Sequence, residues 1–186
     1  MTIKDILYDT ENKMRKTIEA VKREFSEVRT GRASPSLVEG IMVEYYGAKT
    51  PIKQLATIST PDARLIAIHP WDPSIISQVE KAILQSNVGL TPNNDGKIIR
   101  ISMPHLTDER RQELDRIVKR VAENGRVSLR TARRDANESL KQLDKSKEIA
   151  EDERFKSQDR VQKLIDKYST QIDDLLKTKE KEIQEG

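Results

Sequence analysis

Cysteine is absent from this 186-residue sequence, which excludes a disulfide framework and a thiolate metal site. Histidine occurs twice, at His69 and His105, and neither has a metal-ligand partner at useful spacing. Aromatic residues make up 4% of the chain and charged residues 35%. That balance suits long, solvent-bathed helices better than a thick globular core. No run approaches the roughly 20 apolar residues of a membrane helix. The opening MTIKDILYDTENK lacks the basic start and apolar stretch of a signal peptide. These absences predict a soluble, cytoplasmic protein with no membrane partner. Nucleophile elbows, Rossmann fingerprints and Walker loops are also missing. Acid clusters such as Glu151-Asp152-Glu153 and Asp173-Asp174 fall on helix faces, where solvation and capping account for them. The expectation is therefore no catalytic residue, no metal ligand and no cofactor.

Long amphipathic helices dominate what is present. The first carries Ile3, Leu7, Thr10, Met14, Thr17/Ile18, Val21, Phe25 and Val28 in three- and four-residue steps, the spacing of a bundle seam. Thr2 and Asp5 resemble a capping box ahead of it. The second helix begins after Thr107, a candidate N-cap, and its seam is Leu114, Val118, Val121, Gly125, Leu129, Ala132, Ala136, Leu140 and Leu143. It spans about 55 Å at ~1.5 Å per residue. The third begins within 146–152, with its seam at Val161, Leu164/Ile165, Tyr168, Ile172, Leu175 and Ile183. Gly125 is a departure inside the second helix; it either permits close packing or loosens the helix.

Residues 31–105 read differently, with six of the seven prolines between Pro35 and Pro92. Val38–Tyr46, Arg64–His69 and Ile98–Met103 are rich in strand-forming residues. Asn94-Asp95-Gly96 is a turn signal. Asp72-Pro73 places an N-cap and a first-turn proline before one short helix that should stop near Asn87–Gly89. The predicted fold is α+β with two domains. A three-helix bundle, discontinuous in sequence (residues 1–30 plus 106–186), carries an inserted β/α/β head (31–105). A lone amphipathic stripe cannot be buried by itself, so the N-terminal helix must pack on the two C-terminal ones. The connectors at 31–35 and 103–105 form either a hinge or an elbow locked by Pro35 and Pro104.

Charge is concentrated on the second helix. Between Arg116 and Arg134 seven Lys or Arg face one acid, Glu123, although the whole chain carries only +3. Lys119, Arg126, Arg130 and Arg133 share a flank of that helix, with Arg134 adjacent. Such a row repels itself unless something anionic lies along it. Phosphate backbone is one candidate, since the arginine fork suits phosphate. Asp159, Asp166 and Asp173, spaced by seven on the third helix, are the other, as interhelical ion-pair partners. No aromatic residue occurs in 106–144, so stacking on single-stranded bases is disfavoured and backbone recognition of folded RNA preferred. A coiled-coil adaptor would use the same seams to bind other helices, with the arginines as interhelical pairs. An enzyme built around His69, Trp71 and Asp72 is less well supported, because Asp72 is explained as a cap.

The strings Val28-Arg29-Thr30-Gly31-Arg32-Ala33-Ser34-Pro35, Val43-Glu44-Tyr45-Tyr46-Gly47, Leu106-Thr107-Asp108-Glu109-Arg110-Arg111 and Ala132-Arg133-Arg134-Asp135-Ala136-Asn137 closely resemble the bacterial ribosome recycling factor family, as does Ile149-Ala150-Glu151-Asp152 leading to Gln158-Asp159. The resemblance covers essentially the whole chain. It implies an L-shaped, monomeric protein with a mobile head. It also implies binding to the post-termination ribosome and splitting into subunits together with elongation factor G and GTP hydrolysis by that factor. The contacts to large-subunit ribosomal RNA that it implies fall on Arg111, Arg130 and Arg133; Arg126 and Arg134 join them from the helical stripe. The implied hinge falls on Arg32, Ser34, Pro35 and Pro104, beside Gly31 of the same connector.

Overall fold

Amphipathic periodicity sustained over many turns produces three long helices in the computed structural model, which describes residues 2–186. Helix α1 covers Ile3–Glu27. Its start is the expected capping box: Asp5 N–H donates to Thr2 Oγ1 at 3.2 Å and Thr2 N–H donates to Asp5 Oδ2 at 2.8 Å. The backbone bond from Thr2, followed by its hydroxyl, holds the Asp5 carboxyl below its ordinary pKa. Leu7, Thr10, Met14, Ile18, Val21 and Phe25 are buried as the spacing requires, and Ile6 joins them. The buried Thr10 hydroxyl is satisfied by Ile6 O at 2.6 Å.

Helix α3 runs Asp108–Lys145 and α4 runs Glu151–Glu185. Helix α2 belongs to the second unit, below. All nine seam positions expected on α3 are buried, with Ala122 in addition. At one end Ile6 and Leu7 of α1 pack with Ala136, Leu140 and Leu143 of α3 and Val161 of α4. The start of α1 thus meets the end of α3 and the start of α4, so each helix is antiparallel to the next in chain order. Gly125 resolves the ambiguity of its position. A Cβ there would lie 2.8 Å from Val21 Cγ2 and 3.0 Å from Ile172 Cδ1, so the glycine lets the three helices approach. The α3–α4 turn is clamped by Arg154, whose Nε lies 2.9 Å from Asp144 Oδ2.

The chain divides into two compact units. The helical one holds residues up to Arg29 and Glu109–Lys181; the other holds Thr30–Asp108 with Glu182–Gly186, the last turn of α4. In this second unit strands β1 (Met42–Tyr45) and β2 (Ala48–Pro51) form a hairpin. Its two-residue loop, Tyr46-Gly47, has φ of 48° and 77°, the left-handed pair that matches strand twist. Strands β3 (Ala56–Asp62), β4 (Leu65–Pro70), β5 (Pro92–Asn94) and β6 (Ile99–Ser102) form an antiparallel sheet in the order β3-β4-β6-β5. Ile66 and Ile68 face Ile101 and Ile99 across the β4–β6 pair, and all four are fully buried. Helix α2 (Ile76–Gln85) lays Ile76, Val79 and Ile83 into the same core.

Two expectations for this unit need correction. The strand placed over Val38–Tyr46 is confined to Met42–Tyr45, because Ser34 and Pro35 start a 3-10 turn over Pro35–Leu37 that delivers Val38 to the core in a non-extended conformation. The helix after Asp72-Pro73 opens with a 3-10 turn, capped by Asp72 Oδ1 accepting from Ser74 N–H at 2.9 Å, and stops at Gln85 ahead of Asn87. The Asn94-Asp95-Gly96 turn forms as read: Lys97 and Ile98 N–H both donate to Asp95 Oδ1. The Ile98 bond, then the Arg100 guanidinium, hold that carboxyl far below the carboxylate range.

Candidate nucleic-acid interface

The basic flank of α3 faces α4, and the two antiparallel helices place α3 cations opposite α4 acids at seven-residue intervals. Lys119 lies 3.6 Å from Glu180 and also donates to Asp115 at 2.7 Å. The Asp115 hydrogen bond is the main cause of the raised Lys119 pKa. One heptad on, Arg126 donates through Nη2 to Asp173 Oδ1 at 2.6 Å and through Nε at 3.2 Å. These two bonds to one carboxylate oxygen raise the arginine pKa further, and the side chain is only 30% exposed. Arg126, expected to touch RNA, is thus an interhelical tie, as the ion-pairing alternative required of Asp173.

The next residues differ. Arg130 donates to Glu123 Oε1 at 2.7 Å on its own helix and stays half exposed. That bond is the first cause of the lowered Glu123 pKa. Arg133 donates to a neutral partner, Gln162 Oε1, at 3.3 Å, and makes no ion pair among the described residues. Arg134 projects 78% exposed, its Nε 3.9 Å from Asp135 Oδ1. Arg133 and Arg134, with Asn137, Glu138, Lys141 and Gln162, line a shallow depression of about 270 Å³, so one carboxylate sits among its three cations. Lys141 and Gln162 were not read from the sequence. Lys141 could have been, since 133, 137 and 141 are spaced by four on one face; Gln162 depends on how α4 packs. Arg111 sits apart, half-buried near the start of α3 and engaged within the chain. It lies about 33 Å along the helix axis from Arg133 at ~1.5 Å per residue.

The connector residues are well tied within the second unit. Gly31 has φ of 74°, and a Cβ on it would lie 3.1 Å from Leu106 Cγ. Arg32 lies 3.6 Å from Glu185. Ser34 caps the turn that Pro35 begins, accepting from Ser36 N–H at 3.4 Å. Ala33 N–H donates to Ala63 O and Met103 N–H to Arg64 O, both at 2.8 Å. Both connectors are thereby stitched to the loop between β3 and β4. Pro104 is exposed, and the Arg64 guanidinium is bonded to the His105 ring.

Among the described residues no group of three or more His, Asp or Glu is placed to hold a metal. No helix there is long and apolar enough to cross a membrane. Trp71 is 67% exposed, its indole N–H donating to Thr57 Oγ1 at 3.0 Å, and His69 is exposed on β4.

The sequence model of the ribosome recycling factor family matches residues 21–183. A ribosome-recycling factor of Oleidesulfovibrio alaskensis is 54% identical over 180 residues, covering 97% of this chain and 98% of the relative. One from Carboxydothermus hydrogenoformans is 52% identical over 181 residues, again covering 97% and 98%. The solution structure of a ribosome recycling factor superposes with a TM-score of 0.73 at 43% identity, over 100% of this chain and 99% of that one. A second similar structure comes from models of the T. thermophilus ribosome recycling factor and E. coli elongation factor G bound to the E. coli post-termination complex. It has a TM-score of 0.65 at 40% identity, covering 98% and 99% of the two chains.

Proposed function

The chain belongs to the ribosome recycling factor family, and from that membership we propose that it binds the post-termination ribosome and, with elongation factor G, splits it into subunits. It is a translation factor and not an enzyme: GTP hydrolysis belongs to the partner, and messenger and transfer RNA leave as the subunits part. It acts as a cytoplasmic monomer.

The anchor is the basic flank of the helical unit, set on the phosphates of large-subunit ribosomal RNA. The observation that carries this is the contrast along α3: Arg126 is neutralised by Asp173, whereas Arg133 meets only an amide and Arg134 stands 78% exposed. Arg130, Arg133 and Arg134 form the core of the contact, and Arg111 is a separate contact near the other end of the helix. Arg126 supports the bundle. The second unit is the surface on which the elongation factor pushes. Since Ala33 and Met103 are hydrogen-bonded to the β3–β4 loop, we place the hinge on the bundle side of those residues, at 28–32 and 104–107 instead of 31–35 and 103–105. Gly31 with its positive φ and Pro104 are the pivots, Arg32 flanks the first, and Ser34 and Pro35 hold the head side rigid.

Ribosome cosedimentation of wild type and Arg133→Ala across a salt series tests the anchor, with circular dichroism as folding control. Wild-type affinity should fall steeply with salt, and the variant should bind weakly with a log–log slope shallower by about one, as for loss of one phosphate contact. Unchanged binding with early melting would assign the arginine to bundle stability. Salt-insensitive binding would favour the adaptor reading.

A further inference from the structure

We propose that Gln162 of α4 is a positioning residue: a neutral amide that aims the Arg133 guanidinium outward without cancelling its charge. The proposal rests on the reading of Arg133 as an RNA anchor.

The argument begins with the pairing of α3 and α4. Lys119 meets Glu180 and Arg126 meets Asp173, so each step of seven along α3 is matched by a step of seven back along α4. The same rule places Arg133 opposite Asp166. A third direct ion pair would complete the series, and it is not formed. Instead Gln162 Nε2 donates to Asp166 Oδ1 at 2.8 Å, and Gln162 Oε1 accepts from Arg133 Nη1 at 3.3 Å. The amide orientation is dictated by its neighbours: an ionised carboxylate only accepts and a guanidinium only donates, so the reverse orientation would oppose both. Gln162 therefore occupies the carboxylate that would otherwise take the arginine, and presents its own oxygen in that place.

The physical consequence is specific. A long arginine side chain loses rotamer freedom when it binds, and a partner that holds it beforehand removes part of that loss. A carboxylate partner would hold it too, but at the expense of the net charge a phosphate needs. A neutral acceptor orients the side chain and leaves the charge in place.

Four full-length chains test this by ribosome cosedimentation over a salt series, with circular dichroism as control: Gln162→Met, Gln162→Glu, Arg133→Ala and the Arg133→Ala/Gln162→Met pair. Gln162 is exposed, so each should fold. Methionine keeps length and helix propensity but gives up both hydrogen bonds. Its affinity should fall at least about fivefold, the loss of one orienting hydrogen bond, and the salt slope should become shallower, because Asp166 is released to pair with the arginine. Glutamate should bind at least as weakly with a slope shallower by about one, since it neutralises the arginine. The pair should match Arg133→Ala alone. Wild-type affinity for Gln162→Met, or a weakening that persists undiminished beside Arg133→Ala, overturns the positioning role while leaving the anchor intact. If Arg133→Ala itself binds like wild type, the anchor falls and the positioning role with it, a pattern distinct from the other two.

Discussion

Two stretches of one helix carry the same kind of charge in opposite circumstances. Along Lys119–Arg126 the cations are tied across to α4, at Glu180 and Asp173, and the helices lie so close that position 125 has no room for a methyl group. Along Arg130–Arg134 the partners are a residue of the same helix, an amide and, at 3.9 Å, the adjacent Asp135. The first stretch uses its charge to hold the bundle, and the second leaves more of its charge exposed to solvent. Basic residues counted in a sequence are therefore not equivalent binding residues; the acids across the interface decide which remain available.

Leu129 sits between the two stretches and is fully buried, so its removal should disturb both. Leu129→Ala should cost about 3 kcal/mol, the transfer of the lost methyls plus the cavity left behind. In thermal unfolding that is a fall of roughly 6–12 °C for a chain of this size. A fall of under 1 °C would mean that α3 and α4 can close over the gap, and that the tight first stretch is not rigid.

Gly125→Ala attacks the tight stretch directly. Alanine gains about 1 kcal/mol in helix propensity over glycine. Against that, its Cβ would lie 2.8 Å from Val21 Cγ2, on a β-branched side chain with little χ1 freedom, and 3.0 Å from Ile172 Cδ1. Overpacking of this kind costs about 1–3 kcal/mol, so the net is a loss of about 1 kcal/mol. The Arg126–Asp173 bond should lengthen with it, visible as lost protection of the arginine Nε proton in NMR exchange. A stabilised variant would show that the helices have slack there.

Arg126→Ala and Arg133→Ala compare the two stretches in one experiment. Arg126→Ala should lower the melting temperature by about 2 °C, the order expected for a partly exposed ion pair, and change ribosome affinity less than about threefold. Arg133→Ala should do the reverse, leaving melting alone and weakening ribosome binding about tenfold or more. Equal losses of affinity would erase the distinction between structural and available charge.

The helices were legible because an apolar stripe sustained through 25 residues in α1 and 38 in α3 is hard to mimic by chance. Half the strands were not. Ala48–Pro51 and Pro92–Asn94 are short and proline-bearing, and Ala56–Asp62 is mostly polar; each owes its conformation to a partner strand, which local sequence does not report. At the site, the stripe and the Asp159, Asp166, Asp173 heptad were both visible. Their pairing was not: Asp173 takes Arg126, Asp166 is occupied by Gln162, and only the packed register of two antiparallel helices distinguishes them.

The mildest test concerns Glu123, which belongs to both stretches because it accepts from Arg126 as well as Arg130. Its carboxyl is held below the ordinary value of 4.5, first by the Arg130 bond and then by Arg126. A depressed folded-state pKa means the unfolded chain binds more protons in that range, so the contribution is complete above 4.5 and disappears as pH falls through the depressed value. Glu123→Gln removes this dependence. The variant should melt slightly below wild type at neutral pH, and the gap should close as the pH is lowered beneath 4.5. Near neutrality the released Arg130 should steepen the salt dependence of ribosome binding, because one more cation is free to meet phosphate. A gap in melting temperature that stays constant down through the carboxylate range would show that Glu123 contributes packing and not charge, and that its bond to Arg130 does not set the charge available on that stretch.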